Sequence, residues 1–546
     1  MSKIAHYLQE HVLGEVMTST DMRNYFSTDG GVFTVTPSVV LYPRNENDVR
    51  KTARFSWQLA ERGRVIPITA RGMGTDQAGA AIGSGIMMVF PAHMNKISEL
   101  DGKSGVVIVD PGINYGRLQQ SLHTHGRYLP PYPSSVDYST IGGAVANNAG
   151  GEKSVKYGKT RKYVRSLRVV LANGEVIQTG RINKREVNKK LGLATFEGEI
   201  YRALDKLFEE KQDIIGDVDP IKVTKNSAGY DIWDIKNKDG SYDLTPLFVG
   251  SQGTLGIVTQ VELNTEPFNT QTTLLVGSFD DIKIAETVAL ELRALADGPS
   301  AIEMVDGKLL EFIDKHNPNS LNDVVTKPYH KIIMLVEFDD NNDRQQRRLT
   351  KKAQKIFDKY EISYQLERDS QKQAELWKIR RSAASIITHN EGNLKALPVI
   401  EDGIVPTDRF QEYLDNIYAL FDKYHLKAAV WGHAGDANLH MQPFLDLSEV
   451  ADRQKVFKLA EEYYQMVIDL GGSTSGEHND GRLRGPYLKQ LYGEEIYQVF
   501  ERIKLIFDPH GTLNPGVKIG VSVDDIKPLL RHEYTMDHLF DHFSTS

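Results

Sequence analysis

The segment from residue 130 to 158 constrains the fold most, because it holds many small residues and few large apolar ones. Its centre, residues 140–151, reads TIGGAVANNAGG. Such a run cannot form a core of its own. Glycine lets backbone amides approach a ligand closely, and successive amides in turns form anion-binding nests. A flexible linker is the alternative, but the interleaved Ile141, Val145 and Val155, and the strands predicted directly afterwards, favour a ligand-binding segment.

Two further segments have a similar composition. Residues 71–75 read RGMGT after a predicted strand, and residues 250–259 read GSQGTLGIVT before another. The first resembles a dinucleotide-binding loop only in part, because Gln77 stands where that motif has its third glycine. The phosphate-binding P-loop is excluded as well, since Ile97 and Lys153 stand where its first glycine is required. The chain is therefore predicted neither to have a Rossmann fold nor to hydrolyse ATP.

Length and composition further limit the possible domain organisation and function. A chain of 546 residues is too long for one hydrophobic core and is predicted to form two or three domains. Its formal net charge of −8 gives a nucleic-acid partner little electrostatic support. The absence of cysteine excludes disulfides, a cysteine nucleophile and cysteine-ligated iron–sulfur clusters from this sequence. The sequence shows no secretory-type apolar segment near Met1 and no long apolar run, so a cytoplasmic protein is expected.

The pattern of elements changes after Pro267. Strands and helices then alternate, and the predicted elements are strand 273–279, helix 282–296, strand 301–305, a helix near Leu309, strand 332–338 and helix 344–360. Two split βαβ units over an antiparallel sheet are the simplest packing for this order. In the first half, Asp48 is expected to cap a helix that stops at Gly63.

Two histidine-containing stretches lie in the second half. Residues 432–440 read GHAGDANLH, and residues 475–482 read SGEHNDGR. Imidazole nitrogen and carboxylate oxygen suit zinc and its neighbours, and three protein ligands leave a position open for substrate. Chance clustering of sixteen histidines is the alternative. Turn-forming residues around His433 and His440 argue against it, and the second stretch follows an apolar run at 466–468 that looks like a strand.

These pieces, in this order, resemble the flavin-linked oxidase family, which joins a vanillyl-alcohol-oxidase (PCMH-type) FAD domain to an FAD-linked oxidase C-terminal domain. Its members include D-lactate dehydrogenases, D-2-hydroxyglutarate dehydrogenases and the FAD subunit of glycolate oxidase. The resemblance covers about residues 36 to 520. The segments that match family segments are 71–75, 140–143, 156–158, 250–259 and 507–516.

The resemblance implies an α+β fold. A two-subdomain PCMH-type FAD-binding domain would be followed by a ferredoxin-like antiparallel-sheet substrate (cap) domain and a C-terminal return segment. The implied limits are 1–35 for an N-terminal segment, 36–266 for the FAD-binding domain, 267–505 for the substrate and metal domain, and 506–546 for the segment that returns to the FAD domain.

The resemblance also implies which residues bind FAD. The implied cofactor-binding residues are Arg71, Gly72, Met73, Gly74, Thr75, Pro133, Ser134, Thr140, Gly142, Gly143, Asn147, Gly150, Tyr157, Gly158, Ile257 and Asn514. Backbone amides of residues 72–75 would hold the pyrophosphate. Some relatives tether FAD through a histidine in this first loop. Here the loop offers Thr75 and Asp76, so a non-covalent flavin is expected.

By the same resemblance, His433, His440 and Glu477 are ligands of a divalent metal, with zinc favoured over manganese or iron. The two histidines are seven residues apart, so only a turn between them can bring both to one ion. His478 matches the proposed base. Arg380 matches the arginine that binds the substrate carboxylate, and a basic, solvent-exposed helix face is the less favoured alternative.

Two departures from the family bear on the substrate. Ile400 stands where the hydroxyglutarate branch has a substrate-binding lysine, so a second substrate carboxylate loses an expected partner. Asn479 replaces a glycine of many relatives, and asparagine tolerates left-handed backbone geometry better than most residues.

The expected activity is oxidation of a D-2-hydroxy acid, D-lactate or a similarly small acid, to the 2-oxo acid. The alternatives are a glycolate oxidase FAD subunit, a D-2-hydroxyglutarate dehydrogenase, or a non-catalytic flavin-binding protein with a structural metal. Because a cysteine-ligated cluster is excluded, electrons must leave to an external acceptor such as a quinone, a cytochrome or an electron-transfer protein. A homodimer and a peripheral membrane contact are compatible with the resemblance.

Overall fold

The computed structural model describes residues 3–216, 218–316, 327–385 and 393–535. Residues 536–546 of the predicted return segment lie outside the described residues. The helices, in chain order, are α1 (Lys3–His11), α2 (Thr20–Tyr25), α3 (Glu46–Ala60), α4 (Tyr115–His123), α5 (Ile141–Asn147), α6 (Ser154–Tyr157), α7 (Lys184–Leu191), α8 (Phe196–Glu210), α9 (Gln212–Ile215), α10 (Thr245–Phe248), α11 (Ile282–Arg293), α12 (Gly307–His316), α13 (Asp343–Lys359), α14 (Ser370–Ser385), α15 (Phe410–Tyr424), α16 (Val450–Asp469), α17 (Leu488–Phe507) and α18 (Val523–Ile526). Within the described ranges, no helix combines the length and apolar character that crossing a membrane requires.

Two large sheets and one two-stranded sheet occupy the first half, among the described residues. The strands up to residue 268 in the described chain are β1 (Glu15–Met17), β2 (Val39–Tyr42), β3 (Ile68–Arg71), β4 (Ile86–Val89), β5 (Ile97–Asp101), β6 (Val106–Val109), β7 (Arg127–Tyr128), β8 (Val164–Val170), β9 (Val176–Gln178), β10 (Ile257–Asn264) and β11 (Glu266–Pro267). Among these residues, β1-β2-β4-β3 form one sheet, whose last three strands run parallel. The second sheet is antiparallel, in the order β5-β6-β10-β8-β9, and β7 pairs with β11.

The second half contains an antiparallel sheet, seven-stranded as far as the described residues show. Its strands are β12 (Thr273–Phe279), β13 (Ala301–Asp306), β14 (Ile332–Phe338), β15 (Tyr364–Glu367), β16 (Lys395–Ala396), β17 (Ala428–His433) and β18 (Asn438–Leu445). They lie in the order β15-β12-β14-β13-β17-β18-β16. The predicted strands at 273–279 and 332–338 are confirmed, and the sheet is antiparallel as expected. The predicted domain limits themselves stay predictions, although the sheets change between Pro267 and Thr273.

Helices cover both faces of this seven-stranded sheet, the third of the large sheets and here called the third sheet. Successive strand side chains point to opposite faces. On one face, Met304 and Met334 share an apolar cluster with Phe357 of α13. On the other face, Val305 shares a cluster with Trp377 of α14. This alternation decides which helices lie beside the candidate site and which lie behind it.

The segment after α17 returns to the first sheet. The Ile68 amide donates to the Thr512 carbonyl at 2.7 Å, and the Asn514 amide donates to the Ile68 carbonyl at 2.9 Å. The Asn514 side chain donates to the carbonyls of Ala80 and Gln252 at 2.9 and 2.8 Å. These contacts attach the C-terminal part of the chain beside the loop that follows β3.

Two local predictions are wrong. Asn45, not Asp48, caps α3, because its side chain accepts the Asp48 amide at 3.1 Å. The Asp48 carboxylate instead accepts the amides of Leu13 and Gly14, at 2.9 and 3.0 Å. Residues 466–468 are not a strand but the last turns of α16, since a three-residue apolar run fits a buried helix face equally well.

Buried charges connect the two halves. The Lys153 ammonium, which directly precedes α6, pairs with the Glu337 carboxylate of β14, and both side chains are buried. Lys156 and Tyr157 bind Asp339 just beyond the same strand, at 2.7 and 3.0 Å. Removing one partner of a buried ion pair leaves the other charge uncompensated in a poorly solvated place.

We therefore expect Lys153→Met to lower the free energy of unfolding by about 3–5 kcal/mol. Adding Glu337→Gln to that variant removes the stranded charge and should restore most of the loss. Thermal denaturation of the single and double variants measures the effect. A double variant that melts no higher than Lys153→Met would contradict the proposed coupling between the halves.

Candidate functional site

A groove opens where β3, α5 and the start of β10 converge. The residues that line it are Ala70, Arg71, Gly72, Met73, Gly74, Thr75, Asp76, Ala80, Ala81, Phe90, Pro111, Thr140, Gly142, Gly143, Ala146, Asn147, Phe248, Ser251, Gln252, Gly253, Gly256 and Val258. All three glycine-rich segments noted in the sequence contribute to this wall, which explains how a run with few large side chains is stabilised.

Glycine is required where the groove wall is tightest. Gly74 has a left-handed φ of +76°, and a Cβ there would lie 2.2 Å from the Arg71 guanidinium. A Cβ on Gly72 would lie 2.3 Å from the Thr140 hydroxyl. Side chains at these positions would displace the loop, so glycine is needed to keep this backbone in the groove wall.

The sixteen predicted flavin residues divide into two groups. Those that line the groove are Arg71, Gly72, Met73, Gly74, Thr75, Thr140, Gly142, Gly143 and Asn147. Those outside its lining are Pro133, Ser134, Gly150, Tyr157, Gly158, Ile257 and Asn514. The guanidinium of Arg71 is buried, and it donates to the carbonyls of Thr28 and Ala81 at 2.8 and 3.1 Å. Ile257 packs in an apolar cluster with Leu513.

His433, His440 and Glu477 meet in the second half of the chain. His433 ends β17 and His440 lies in β18, where it pairs with Trp431. The turn between the strands places both imidazoles on one sheet face, as the sequence predicted. Glu477 Oε1 lies 2.9 Å from His433 Nε2 and 3.2 Å from His440 Nε2. The two Nε2 atoms are 3.3 Å apart.

These distances fit a shared cation. Metal–ligand bonds of about 2.0–2.1 Å in a tetrahedron place neighbouring donor atoms roughly 3.3 Å apart. Glu303 Oε1 binds His433 Nδ1 at 2.6 Å, which directs Nε2 toward Glu477 and His440. Burial, followed by the neighbouring imidazoles, lowers the pKa of His440 to about 4, so its ring is neutral and suited to ligation.

Glu303 also determines where Arg380 lies. Its second oxygen accepts Arg380 Nε at 2.7 Å. Both side chains are buried, so Arg380 does not belong to a basic, solvent-exposed helix face. A single carboxylate thus connects the predicted metal ligand His433 to the predicted carboxylate-binding arginine. Glu303 itself was not predicted as a site residue, because nothing in β13 distinguishes it from any polar strand residue.

His478 is held by a separate carboxylate. Its Nδ1 lies 2.6 Å from Glu401 Oε2, and its Nε2 lies 3.7 Å from Glu477 Oε1. Asp402 supports the same loop, because its carboxylate accepts the amides of Glu477 and His478, at 3.1 and 2.7 Å from Oδ2. Both acids are buried and were missed as site residues.

The residues Glu401, Asp402, His440 and His478 form a second cluster with metal-ligand geometry. The buried Arg484 guanidinium pairs with Glu401, however. Burial lowers the pKa of Arg484 to about 9, which leaves the group charged at neutral pH. The set around Glu477 remains the candidate metal site, because its two imidazole nitrogens and one carboxylate oxygen lie 2.9–3.3 Å apart.

Lys225 completes the surroundings of Glu477. Its ammonium lies 2.6 Å from Glu477 Oε2 and 4.0 Å from Asp436 Oδ2. Burial alone would lower the pKa of Lys225, but the two carboxylates outweigh burial and raise it. Gly150 lies on the same side, where an added Cβ would be 2.8 Å from Glu477 Oε2. No motif surrounds Lys225, so no signal in the sequence marked it.

Asn479 joins the groove to the histidine cluster. It has a left-handed φ of +68°, which confirms that asparagine accommodates the turn. Its side-chain amide donates to the carbonyls of Asn147 and Gly250, at 3.1 and 3.0 Å. Asn147 lines the groove, and Glu477 lies two residues before Asn479 in the chain. The groove and the histidine cluster therefore adjoin.

Two family models match the chain. Residues 37–180 match the family model described as an FAD binding domain, and residues 269–517 match the one described as the C-terminal domain of FAD linked oxidases. The glycolate oxidase subunit GlcD of Bacillus subtilis is 30% identical over 483 residues, which cover 88% of this chain and 88% of that protein. The chain belongs to the FAD-linked oxidase family.

Other relatives of this FAD-linked oxidase carry different names. A D-2-hydroxyglutarate dehydrogenase of Haemophilus influenzae is 29% identical over 535 residues, covering 94% of this chain and 51% of that protein. The chain thus spans about half the length of the D-2-hydroxyglutarate dehydrogenases that it matches. A D-lactate dehydrogenase of Archaeoglobus fulgidus is 27% identical, covering 88% of this chain and 90% of that protein.

A solved structure supports the fold. p-Cresol methylhydroxylase with substrate bound superposes with a TM-score of 0.68 at 14% identity, covering 96% of this chain and 97% of that one. At this identity the likeness shows the fold alone. It confirms the predicted α+β architecture with a PCMH-type FAD-binding part.

The variant Gly74→Ala tests whether the glycines that line the groove are needed to bind FAD. The new Cβ would strain a left-handed residue and clash with Arg71, so we expect FAD affinity to fall at least about tenfold. Titration of the apoprotein with FAD, followed by flavin fluorescence, measures it. Gly126→Ala is the matched control, since Gly126 is also left-handed at +67° but a Cβ added there would have no atom within 4 Å. Equal affinities for both variants would contradict the assignment.

Proposed function

We propose that this FAD-linked oxidase is a dehydrogenase that oxidises a D-2-hydroxy acid of the D-lactate type to the 2-oxo acid. One observation carries the proposal: the donor atoms of His433, His440 and Glu477 converge beside His478, next to a glycine-lined groove. Such a site can bind an α-hydroxy acid, receive its hydroxyl proton and hold the carbon close to a flavin. The relatives named as 2-hydroxy-acid dehydrogenases support the same chemistry.

The groove and the histidine cluster would each hold one group. The amides of residues 72–75 would bind the FAD pyrophosphate, and the lack of a tethering histidine in that loop favours a non-covalent flavin. His433, His440 and Glu477 would bind a divalent metal, with zinc favoured over manganese or iron. When bound, the flavin would supply the acceptor for the hydride on C2 of the substrate, and the metal would supply a Lewis acid for the substrate hydroxyl.

His478 would act as the general base. Its Nδ1 faces Glu401, which orients the ring and assigns the proton-accepting role to Nε2. In the proposed reaction, Nε2 takes the hydroxyl proton as the C2–H bond breaks and the C–O bond becomes a carbonyl. General-base catalysis of this kind typically contributes about 10²–10⁴-fold to the rate.

Arg380 would bind the substrate carboxylate. Its Nε is occupied by Glu303, so the proposal assigns the carboxylate to the two terminal nitrogens, which can bind it in a bidentate pair. Glu303 contacts both Arg380 and His433. A shift of Arg380 would therefore also disturb the orientation of the metal ligand.

A small monocarboxylate is favoured over a dicarboxylate. Ile400 is fully buried in the apolar cluster of the third sheet, so that position supplies no cation for a second carboxylate. D-2-hydroxyglutarate and glycolate are the competing substrates, because relatives of the chain are named for them. These 546 residues hold no cysteine for an iron–sulfur cluster, so electrons would leave to an external quinone, cytochrome or electron-transfer protein. The proposed location of the enzyme is the cytoplasm.

Anaerobic reduction of the bound flavin tests the proposal. D-lactate should bleach the flavin absorbance rapidly and reversibly, L-lactate should not, and D-2-hydroxyglutarate and glycolate should react more slowly. His478→Ala should retain FAD and metal but reduce its flavin about 10²–10⁴-fold more slowly. His6→Ala, which changes an exposed histidine on α1, is the control and should behave as the native protein.

Three outcomes would count against the proposal. A flavin that no 2-hydroxy acid reduces would favour the non-catalytic alternative. A preference for D-2-hydroxyglutarate or glycolate would replace the substrate assignment. Native rates in His478→Ala would remove that residue from the mechanism.

A further inference from the structure

Helix α13 carries a continuous basic surface. Its exposed cations, here called the α13 basic face, are Arg344, Arg347, Arg348, Lys351, Lys352 and Lys355. No aspartate or glutamate lies between residues 344 and 355. Spacings of three and four residues place these side chains on one side of the helix. The opposite side is buried against the third sheet through Leu349, Ala353 and Phe357.

These charges lack the carboxylate partners that other surface cations have. Among the ion pairs formed by the described residues, none involves a member of the α13 basic face. Lys359, one turn further along, pairs with Glu291 at 2.6 Å. Like charges four residues apart, such as Arg344 with Arg348 and Lys351 with Lys355, repel one another. In a chain with a net charge of −8, this local concentration of positive charge is an unpartnered surface.

The α13 basic face lies behind the candidate active site. Glu303, which contacts His433 and Arg380, alternates along β13 with Met304. Met304 belongs to the apolar cluster that contains Phe357 of α13, so Glu303 points to the opposite sheet face. An occupant of the α13 basic face would therefore leave the histidine cluster accessible. This position suits attachment to a surface better than docking of an electron acceptor, which must approach the flavin.

The chemistry of the face indicates which surface. The stripe from Arg344 to Lys355 is about 17 Å long, by the rise of an α-helix. The large hydrophobic side chains that are exposed elsewhere in the described residues include none from α13. Protein interfaces need an apolar core, and single-stranded nucleic acid needs aromatic stacking residues. An exposed row of arginine and lysine offers neither, but it matches a plane of anionic headgroups.

We propose that the α13 basic face docks this enzyme on anionic lipid. Attraction of clustered arginine and lysine to an anionic leaflet scales with their number and falls with ionic strength. No insertion into the acyl region is involved, because the face lacks apolar side chains. The inference does not depend on the substrate or metal assignments, since it concerns the opposite side of the sheet.

Vesicle sedimentation with the full-length, FAD-loaded protein tests the proposal. The protein should sediment with vesicles of phosphatidylcholine and phosphatidylserine at low salt, but not with pure phosphatidylcholine vesicles. The triple variant Arg347→Gln, Lys351→Gln, Lys355→Gln should lower the partition coefficient on the order of 100-fold, given the contribution of each cation. Its flavin reduction by substrate should be unchanged.

A triple variant of equal charge is the control. Lys184→Gln, Arg185→Gln, Lys189→Gln removes three exposed cations from α7, another basic helix, in the first half of the chain. It should retain the native partition coefficient. The proposal is overturned if the native protein does not sediment with phosphatidylserine vesicles at low salt, or if both variants lose binding equally. It is also overturned if the protein shifts double-stranded DNA in a gel but does not sediment with vesicles.

Discussion

The buried carboxylate of Glu477 is the interaction on which the site depends. One of its oxygens faces the imidazoles of His433 and His440, and the other faces the Lys225 ammonium. A charge of this kind is costly to bury unless it is paired and hydrogen-bonded. His433 and Lys225 supply the compensation, which holds the pKa of Glu477 well below its usual range despite burial. The carboxylate is therefore a permanent anion, as a metal ligand must be.

The partners of Glu477 come from distant parts of the chain, and this explains why the site needs both halves. Lys225 belongs to the first half, the two histidines to a hairpin of the third sheet, and Glu477 to the loop between α16 and α17. Asn479 fastens that loop to Asn147 at the rim of the groove. The glycine-lined groove and the histidine cluster are thus parts of one surface. Without contact between the halves, Glu477 would lose the Lys225 ammonium and Asn479 would lose its bond to Asn147.

The sequence predicted those features that short-range patterns encode. Strands β12 and β14 and the turn that unites His433 and His440 follow from alternating apolar residues and turn chemistry. Glycine-rich segments correctly indicated the groove wall. Glu303 and Lys225 were missed, because their partners lie 130 and 252 residues away and no local pattern marks such pairs. The apolar run at 466–468 was misread, because three residues cannot distinguish a strand from a buried helix face.

The most direct test of the site is anomalous diffraction from crystals of the FAD-loaded protein, recorded at the absorption edge of its bound metal. We expect one strong peak about 2.0–2.2 Å from Nε2 of His433, Nε2 of His440 and a carboxylate oxygen of Glu477, with the flavin ring bound beside it. A flavin-filled groove with no peak among these three side chains would contradict the metal assignment. A peak on Glu401 and the Nδ1 atom of His478 would contradict it equally.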